Sequence, residues 1–148
     1  MNNKIEIATE KFVSTYNCAQ SVLYAYSDEV NIDKSTALKI AWGFGAGLGR
    51  KQEICGAITG GIMVIGLKYG TSETDRLAAN EKIYSKTRDL MNKFRIKHGT
   101  CNCLELLDGC NLMTENGQKY FKEKDLKNKI CKGCVHDAVQ ILEEIFVD

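Results

Sequence analysis

The stretch EICGAITGGIMVIGLKYG, residues 53–70, contains the longest apolar run in the chain, with Cys55 near its start. The apolar part, Ile54 to Leu67, covers 14 residues, whereas a membrane span needs roughly 20. We therefore predict a buried core helix from about Ile54 to Tyr69, ended by Gly70. Its glycines cost about 1 kcal/mol each relative to alanine. A neighbouring helix, a second subunit or a bulky group beside Cys55 must use the space that they leave.

The remaining sequence is also helical in pattern and predicts an all-α fold. The chain has no proline, and the alternation of apolar and polar residues that marks strands is scarce. Asn17 and Asp33 are typical N-caps, and Ser72 or Thr74 is a candidate cap for a long polar helix that ends at Gly99. The predicted inward-facing residues of that helix are Leu77, Ile83, Tyr84, Leu90, Met91 and Phe94. At 148 residues, 44% of them hydrophobic, the chain suits a single-domain helical bundle, residues 1–148.

Composition argues against nucleic-acid and membrane partners. Lys and Arg total 20 against 19 Asp and Glu, a net charge of +1, so there is no strong basic field to attract nucleic acid. The first residues, MNNKIEIATEKFV, lack the apolar segment of a signal peptide. We therefore expect a cytoplasmic protein. The glycine-spaced apolar helix also predicts a symmetric homodimer, with packing inside one subunit as the alternative.

Seven cysteines are many for a cytoplasmic chain of this length. In a reducing compartment they serve metal binding or redox chemistry more often than structural disulfides, and their odd number argues against a closed disulfide framework. They are Cys18, Cys55, Cys101, Cys103, Cys110, Cys131 and Cys134.

Four of these cysteines fall in the first turn of a predicted helix: Cys18, Cys55, Cys103 and, with Asn128 as candidate cap, Cys131. A helix N-terminus carries unpaired N–H groups and about half a positive charge. Both stabilise a thiolate and lower its pKa. We predict that these helix N-termini gather the four sulfurs around one buried site.

Simpler explanations compete at each position. A lone buried cysteine is often only a small apolar side chain, which is the alternative for Cys18 and Cys55. The pair Cys131-x-x-Cys134 fits a metal knuckle or a redox pair, and Cys134 is the reserve ligand, with Cys101 next. The histidines predict no catalytic centre, because His98 lies at a helix end and His136 is expected to face solvent.

The glycine run GFGAGLGR, residues 43–50, matches neither the dinucleotide fingerprint nor the phosphate loop. It fits two interpretations equally well. The first is a tight connection between helices, and the second is a stretch of backbone N–H groups that approaches an anion or a sulfur. On the second interpretation Gly45, Gly47 and Gly56 border the bound group and leave space for it.

Four segments together resemble the redox-active protein family named C_GCAxxG_C_C: NCAQSVL, GFGAGLGRKQEICGAITGGIMVIGLKYG, NCLELL and CKGCVHDAVQILEEI. The similarity runs from about Tyr16 to Ile145. It implies that Cys18, Cys55, Cys103 and Cys131 are the family's cysteines, that Cys101 and Cys134 are additional, and that Cys110 falls where some members also have cysteine. A related domain fused to split-Soret cytochromes is associated with an iron–sulfur centre, so the resemblance implies a cluster as a candidate cofactor.

The resulting hypothesis is electron transfer or redox sensing through an iron–sulfur cluster. The electrons would be exchanged with a redox partner protein whose identity the sequence does not give. The metal ligands would be Cys18, Cys55, Cys103 and Cys131, because thiolates are what such clusters require. The first alternative is a thiol–disulfide oxidoreductase that uses the same cysteines. The second is a structural zinc protein, with a closed site and no turnover.

Overall fold

A computed structural model describes residues 3–70 and 75–147. Helices form the regular structure of these residues, which confirms the all-α prediction; their bounds are α1 Asn3–Ser14, α2 Cys18–Tyr26, α3 Lys34–Ala41, α4 Gly45–Leu48, α5 Gly56–Tyr69, α6 Arg76–His98, α7 Cys103–Leu106, α8 Glu115–Glu123 and α9 Lys132–Phe146. A 3₁₀ turn, Trp42–Phe44, precedes α4, and a π-helical turn, Lys127–Cys131, leads into α9. Within the described ranges no helix has the length and hydropathy that crossing a membrane requires.

Helices α2 and α5 lie side by side, and the other long helices pack around them. Helix α9 contacts α1, α2, α5 and α6, so apolar side chains from all of these helices meet in one main core. Its largest fully buried side chains are Tyr26, Phe94, Leu23, Ile58, Ile65, Leu90, Ile141, Leu142, Val22, Val64, Val135 and Val139. The C-terminal part of the chain has a smaller core of its own, formed by Leu107, Cys110, Leu112 and Leu126.

Two glycines allow α5 to approach α2 closely. A Cβ atom at Gly60 would lie 2.7 Å from the carbonyl oxygen of Ala19, and one at Gly56 would collide with Sγ of Cys18. On another side of α5, a Cβ at Gly61 would lie 2.9 Å from Cδ2 of Leu90 in α6. Packing within the subunit therefore explains these three glycines. Gly66 has open space around its Cα, and the homodimer stays a prediction.

The predicted caps of α2 and α3 are confirmed. The Asn17 side chain accepts a hydrogen bond from the N–H of Gln20, and the Gln20 side chain accepts one from the N–H of Asn17, which makes a capping box. Asp33 accepts from the N–H of Thr36 at the start of α3. Asn17 also donates to the carbonyl of Trp42 at 2.9 Å, so the cap of α2 is tied to the chain that leads into α4.

Helix α6 differs from the sequence prediction at its start. Ser72 and Thr74 lie outside the described residues, and the side chain of Asp75 accepts the capping hydrogen bond from the N–H of Ala78. Leu77 and Tyr84, expected to face inward, are 75% and 56% exposed. The buried residues of α6 begin only at Lys86, and Ile83, also expected to face inward, is partly buried against the main core.

Replacing Asn17 by alanine should lower the free energy of unfolding by about 1 kcal/mol, because the N–H of Gln20 loses its partner. Denaturant unfolding followed by circular dichroism measures the change. Asn116→Ala is the matched control, since Asn116 is an exposed residue inside α8. Equal stability of the two variants would contradict the assigned role of the cap.

Candidate cysteine site

Five cysteines from separate parts of the chain line a single cavity of about 460 Å³. The lining includes all four predicted ligands and the reserve: Cys18, Cys55, Cys103, Cys131 and Cys134. Apolar side chains, among them those of Phe12, Leu107 and Ile130, form much of the remaining wall. The structure therefore brings together residues that are up to 116 positions apart in sequence, from Cys18 to Cys134.

A short antiparallel pairing places Cys55 next to Cys103. Ile54 and Asn102 form an isolated bridge, the N–H of Cys55 donates to the carbonyl of Cys101 at 2.8 Å, and the N–H of Cys103 donates to the carbonyl of Glu53 at 2.6 Å. Asn102 then caps α7, so that Cys103 is its first residue, as predicted. The two cysteines thus flank a backbone pairing that fixes their separation.

Cys55 lies one position earlier relative to its helix than the sequence predicted. Helix α5 begins at Gly56, and Cys55 is the N-cap residue rather than part of the first turn, because Ile54 is engaged in the bridge with Asn102. The side chain makes no regular capping hydrogen bond. The N–H groups of Ala57 and Ile58 nevertheless act on the sulfur and help to lower its pKa.

Cys131 precedes α9, but it does not lie at a helix N-terminus with free N–H groups. The prediction that it does so is wrong. It ends the π-helical turn, its backbone is already helical, and the next N–H, that of Lys132, is bonded to the carbonyl of Lys127. The Asn128 side chain donates to the Asp125 carboxylate instead of capping the helix. Cys134 lies one turn further along α9 and is 2% exposed, which brings a fifth thiol to the cavity.

The glycine loop forms a left-handed turn beside this cavity. Ala46, Gly47, Leu48, Gly49 and Arg50 all have positive φ, between 53° and 73°. Each residue other than glycine costs roughly 1–2 kcal/mol in that conformation. The N–H of Ala46 in this turn lies close enough to Cys18 to oppose the rise in the pKa of that thiol. The loop is thus a tight connection whose backbone also approaches a sulfur.

Gln52 fixes this loop, and no sequence pattern other than the neighbouring glycines points to that role. The residue is 3% exposed, with φ of 56°. Its amide nitrogen donates to the carbonyl of Cys110 at 2.8 Å, and its amide oxygen accepts from the N–H of Leu112 at 2.8 Å. It also lies close enough to Cys103 to lower the pKa of that thiol. Gln52 therefore joins the loop to the C-terminal part of the site.

The three glycines predicted to border a bound group have different surroundings. Gly56 lines the cavity. A Cβ at Gly47 would lie 2.7 Å from Cβ of Cys103, and a Cβ at Gly45 would lie 2.6 Å from Cγ of Asn17. Gly47 and Gly45 thus allow close packing behind Cys103 and Asn17. Contact of any of the three with a cofactor stays a prediction.

The other cysteines and both histidines lie away from the cavity lining. The thiol of Cys101 donates to the carbonyl of Met91 at 3.5 Å, and that of Cys110 donates to the carbonyl of Gly117 at 3.2 Å. His98 lies 2.8 Å from Oδ2 of Asp137, where it links the end of α6 to α9. His136 is exposed, as expected. The side-chain hydrogen bonds of these residues go to groups outside the cavity lining, although Cys101 lies near Cys55 and Cys110 near Cys103.

The thiols of the cavity oppose one another's ionisation. Burial raises the pKa of Cys18 to about 12, with Cys55 and Cys103 adding to the rise. Burial also raises the pKa of Cys103 to about 12 and that of Cys131 well above its usual range. Cys55 is the exception, because the neighbouring Cys134 thiol lowers its pKa. Further thiolates in this cavity would need a bound cation to stabilise them.

The thiols that line the cavity are of the chemical type that binds a metal–sulfur group. Among the described residues, no three or more His, Cys, Asp or Glu side chains converge closely enough to hold one metal ion. The thiols instead surround a cavity with room for a group of several atoms, and thiolates are the donors that iron–sulfur clusters require. Cys18, Cys55, Cys103 and Cys131 come from four separate elements and are the residues that would hold it.

Gly56→Ala should destabilise the protein by about 1–3 kcal/mol, because the added Cβ collides with Sγ of Cys18 and lies 3.0 Å from the carbonyl oxygen of Phe44. Gly66→Ala, in the same helix but with open space around it, should instead be neutral or stabilise by up to about 1 kcal/mol. Denaturant unfolding of both variants provides the measurement. A stable Gly56→Ala protein would contradict the close contact between α2 and α5.

The thiols of the metal-free protein should differ in the pH at which they react with iodoacetamide. The thiolate is the reactive form, so the lowered pKa of Cys55 predicts alkylation at lower pH than for a free cysteine. Cys103, with its pKa raised to about 12, should remain largely unlabelled. Mass mapping of each cysteine between about pH 7 and 9 measures the order. Labelling of Cys103 before Cys55 would contradict this assignment.

Comparison with known proteins agrees with the arrangement of cysteines. Residues 16–145 match the model of the family described as "Putative redox-active protein (C_GCAxxG_C_C)". An uncharacterised protein of Archaeoglobus fulgidus is 30% identical over 107 residues, which cover 68% of this chain and 71% of that protein. No solved structure matches the chain. The family match spans all seven cysteines, from Cys18 to Cys134, and the chain belongs to the redox-active C_GCAxxG_C_C family.

Proposed function

We propose that the protein transfers electrons or senses redox state through an iron–sulfur cluster held by Cys18, Cys55, Cys103 and Cys131. The observation that carries the proposal is the meeting of these cysteines, from four separate elements, around one largely apolar cavity. Such a cluster supplies one-electron redox chemistry when it is bound. No site for an organic substrate is required.

The protein's own residues position the thiols, shield the cavity from water and supply partial positive charge to the sulfurs. The capped start of α2 and the pairing of residues 53–55 with 101–103 hold three of the thiols in place. The apolar wall keeps water away, which strengthens electrostatic interactions inside the cavity. The N–H groups of Ala46, Ala57 and Ile58 supply partial positive charge to sulfur. Hydrogen bonds to sulfur and burial are the means by which a protein tunes the potential of such a centre.

A second candidate, thiol–disulfide exchange, is favoured by one specific contact. Cys55 and Cys134 line the same cavity, and the neighbouring Cys134 thiol lowers the pKa of Cys55. A thiolate beside a second thiol is the arrangement of a nucleophilic and a resolving cysteine. In that reaction the Cys55 thiolate attacks a substrate disulfide, which releases one substrate thiol and leaves a mixed disulfide on Cys55. Cys134, after losing its proton, then displaces the second substrate thiol and leaves a Cys55–Cys134 disulfide.

Anaerobic purification with iron, sulfide and zinc analysis tests the cluster directly. The expected sample is brown and contains iron and acid-labile sulfide, and the colour changes on reduction with dithionite. A colourless protein with stoichiometric zinc would overturn the proposal. A metal-free protein that loses two thiols on mild oxidation would establish the second candidate instead.

Single serine variants identify the ligands. Cys18→Ser, Cys55→Ser, Cys103→Ser and Cys131→Ser should each keep the fold but lose most of the bound iron, because the hydroxyl is a poor replacement for a thiolate. Cys101→Ser and Cys110→Ser are matched controls that should retain it, since neither residue lines the cavity. Cys55→Ala should also lose iron. A folded Cys55→Ala protein with unchanged metal and redox response would show that Cys55 is only a packing residue.

A further inference from the structure

The charged side chains that line the cysteine cavity all carry the same sign. They are Arg50, Lys122 and Lys127, and none of the carboxylates that the structure describes lines the cavity. This is a local asymmetry, because the whole chain has a net charge of only +1. Glu123, the neighbour of Lys122 in α8, pairs with Lys119 at 3.8 Å and is not part of the lining.

Two of the three cations lie where a reactant would meet them. Arg50 follows the left-handed turn, Lys122 belongs to α8, and both are exposed. Neither forms a salt bridge within the described residues. Lys127 is different: it is half-buried, donates to the carbonyl of Val13 at 3.2 Å and lies over the Phe12 ring. Arg50 and Lys122 therefore form an unpaired cationic rim at the open end of the cavity.

We propose that this rim, Arg50 and Lys122, is the docking surface for a redox partner protein that presents an acidic patch, an inference that rests on the proposed electron-transfer function. Unpaired, exposed charges beside an electron-transfer site act chiefly on the rate of encounter and on its salt dependence. The two cations come from separate elements, the left-handed turn and α8, and both are exposed. Exposed cations on separate elements suit the carboxylates of an apposed protein surface better than one enclosed small anion.

Electron exchange with an acidic flavodoxin, used as the probe, tests the rim. The fully reduced flavin loses one electron, and the oxidised centre of this protein gains it. Wild-type protein should react fastest at low ionic strength and more slowly as salt is added. The double variant Arg50→Glu/Lys122→Glu should be slower by about tenfold or more at low salt, and added salt should no longer slow it. Arg88→Glu/Lys93→Glu, with the same charge change on exposed positions of α6, should stay within about twofold of wild type.

A second measurement uses the metal-free protein and does not depend on a cluster. Two methanethiosulfonates, one bearing a sulfonate and one a trimethylammonium group, each transfer their thioalkyl group to a thiolate and release methanesulfinate. The ratio of anionic to cationic labelling of the cavity thiols should fall about tenfold in the Arg50/Lys122 variant and stay unchanged in the Arg88/Lys93 control.

The two measurements separate the outcomes. A labelling ratio that the rim variant leaves unchanged would overturn the inference. A changed ratio together with a flavodoxin rate that does not respond to the rim would also overturn it, since the rim would then attract free anions and not a protein surface. If the protein holds no cluster, the proposed function fails on metal content, and the labelling ratio still decides whether the rim selects negative charge.

Discussion

The close contact between α2 and α5 is the constraint on which the cysteine site depends. Gly56 and Gly60 face α2 without side chains, and a Cβ atom at either would overlap Cys18 or the backbone of Ala19. Only this approach brings the first residue of α2 and the N-cap of α5 to the same cavity. The glycines lower the stability of α5 as a helix, but their lack of side chains allows the two thiols to lie at the same cavity.

Charge is the second constraint. Burial disfavours the ionised form of most thiols in the cavity, and each thiolate raises the pKa of its neighbours. The protein offsets this only in part, through N–H groups at the start of α5 and in the left-handed turn. A set of thiols that resist ionising together would suit a bound cationic centre, since a metal there would supply the missing positive charge. The cationic rim adds charge of the same sign at the opening.

Backbone strain is concentrated at the same place. Ala46, Leu48, Arg50 and Gln52 are residues other than glycine with positive φ, all within one connection beside the cavity. Such conformations persist only where surrounding contacts over-determine them. Here the amide of Gln52 is held by Cys110 and Leu112, so the loop is fixed by the C-terminal part of the chain. This strained segment carries the N–H that lies close to Cys18.

The sequence by itself determined the helical class and several helix ends, because the caps Asn17 and Asp33 and the stops Gly70 and Gly99 act through local hydrogen bonds and backbone freedom. It also indicated the four cysteines. The tertiary structure decided that Cys134 joins them, that Cys131 has no free helix N-terminus, and that Gln52 fixes the loop. Those features depend on contacts between segments far apart in the chain, which local pattern does not encode. The exposure of Leu77 has the same origin, since a helical face is buried only where another element covers it.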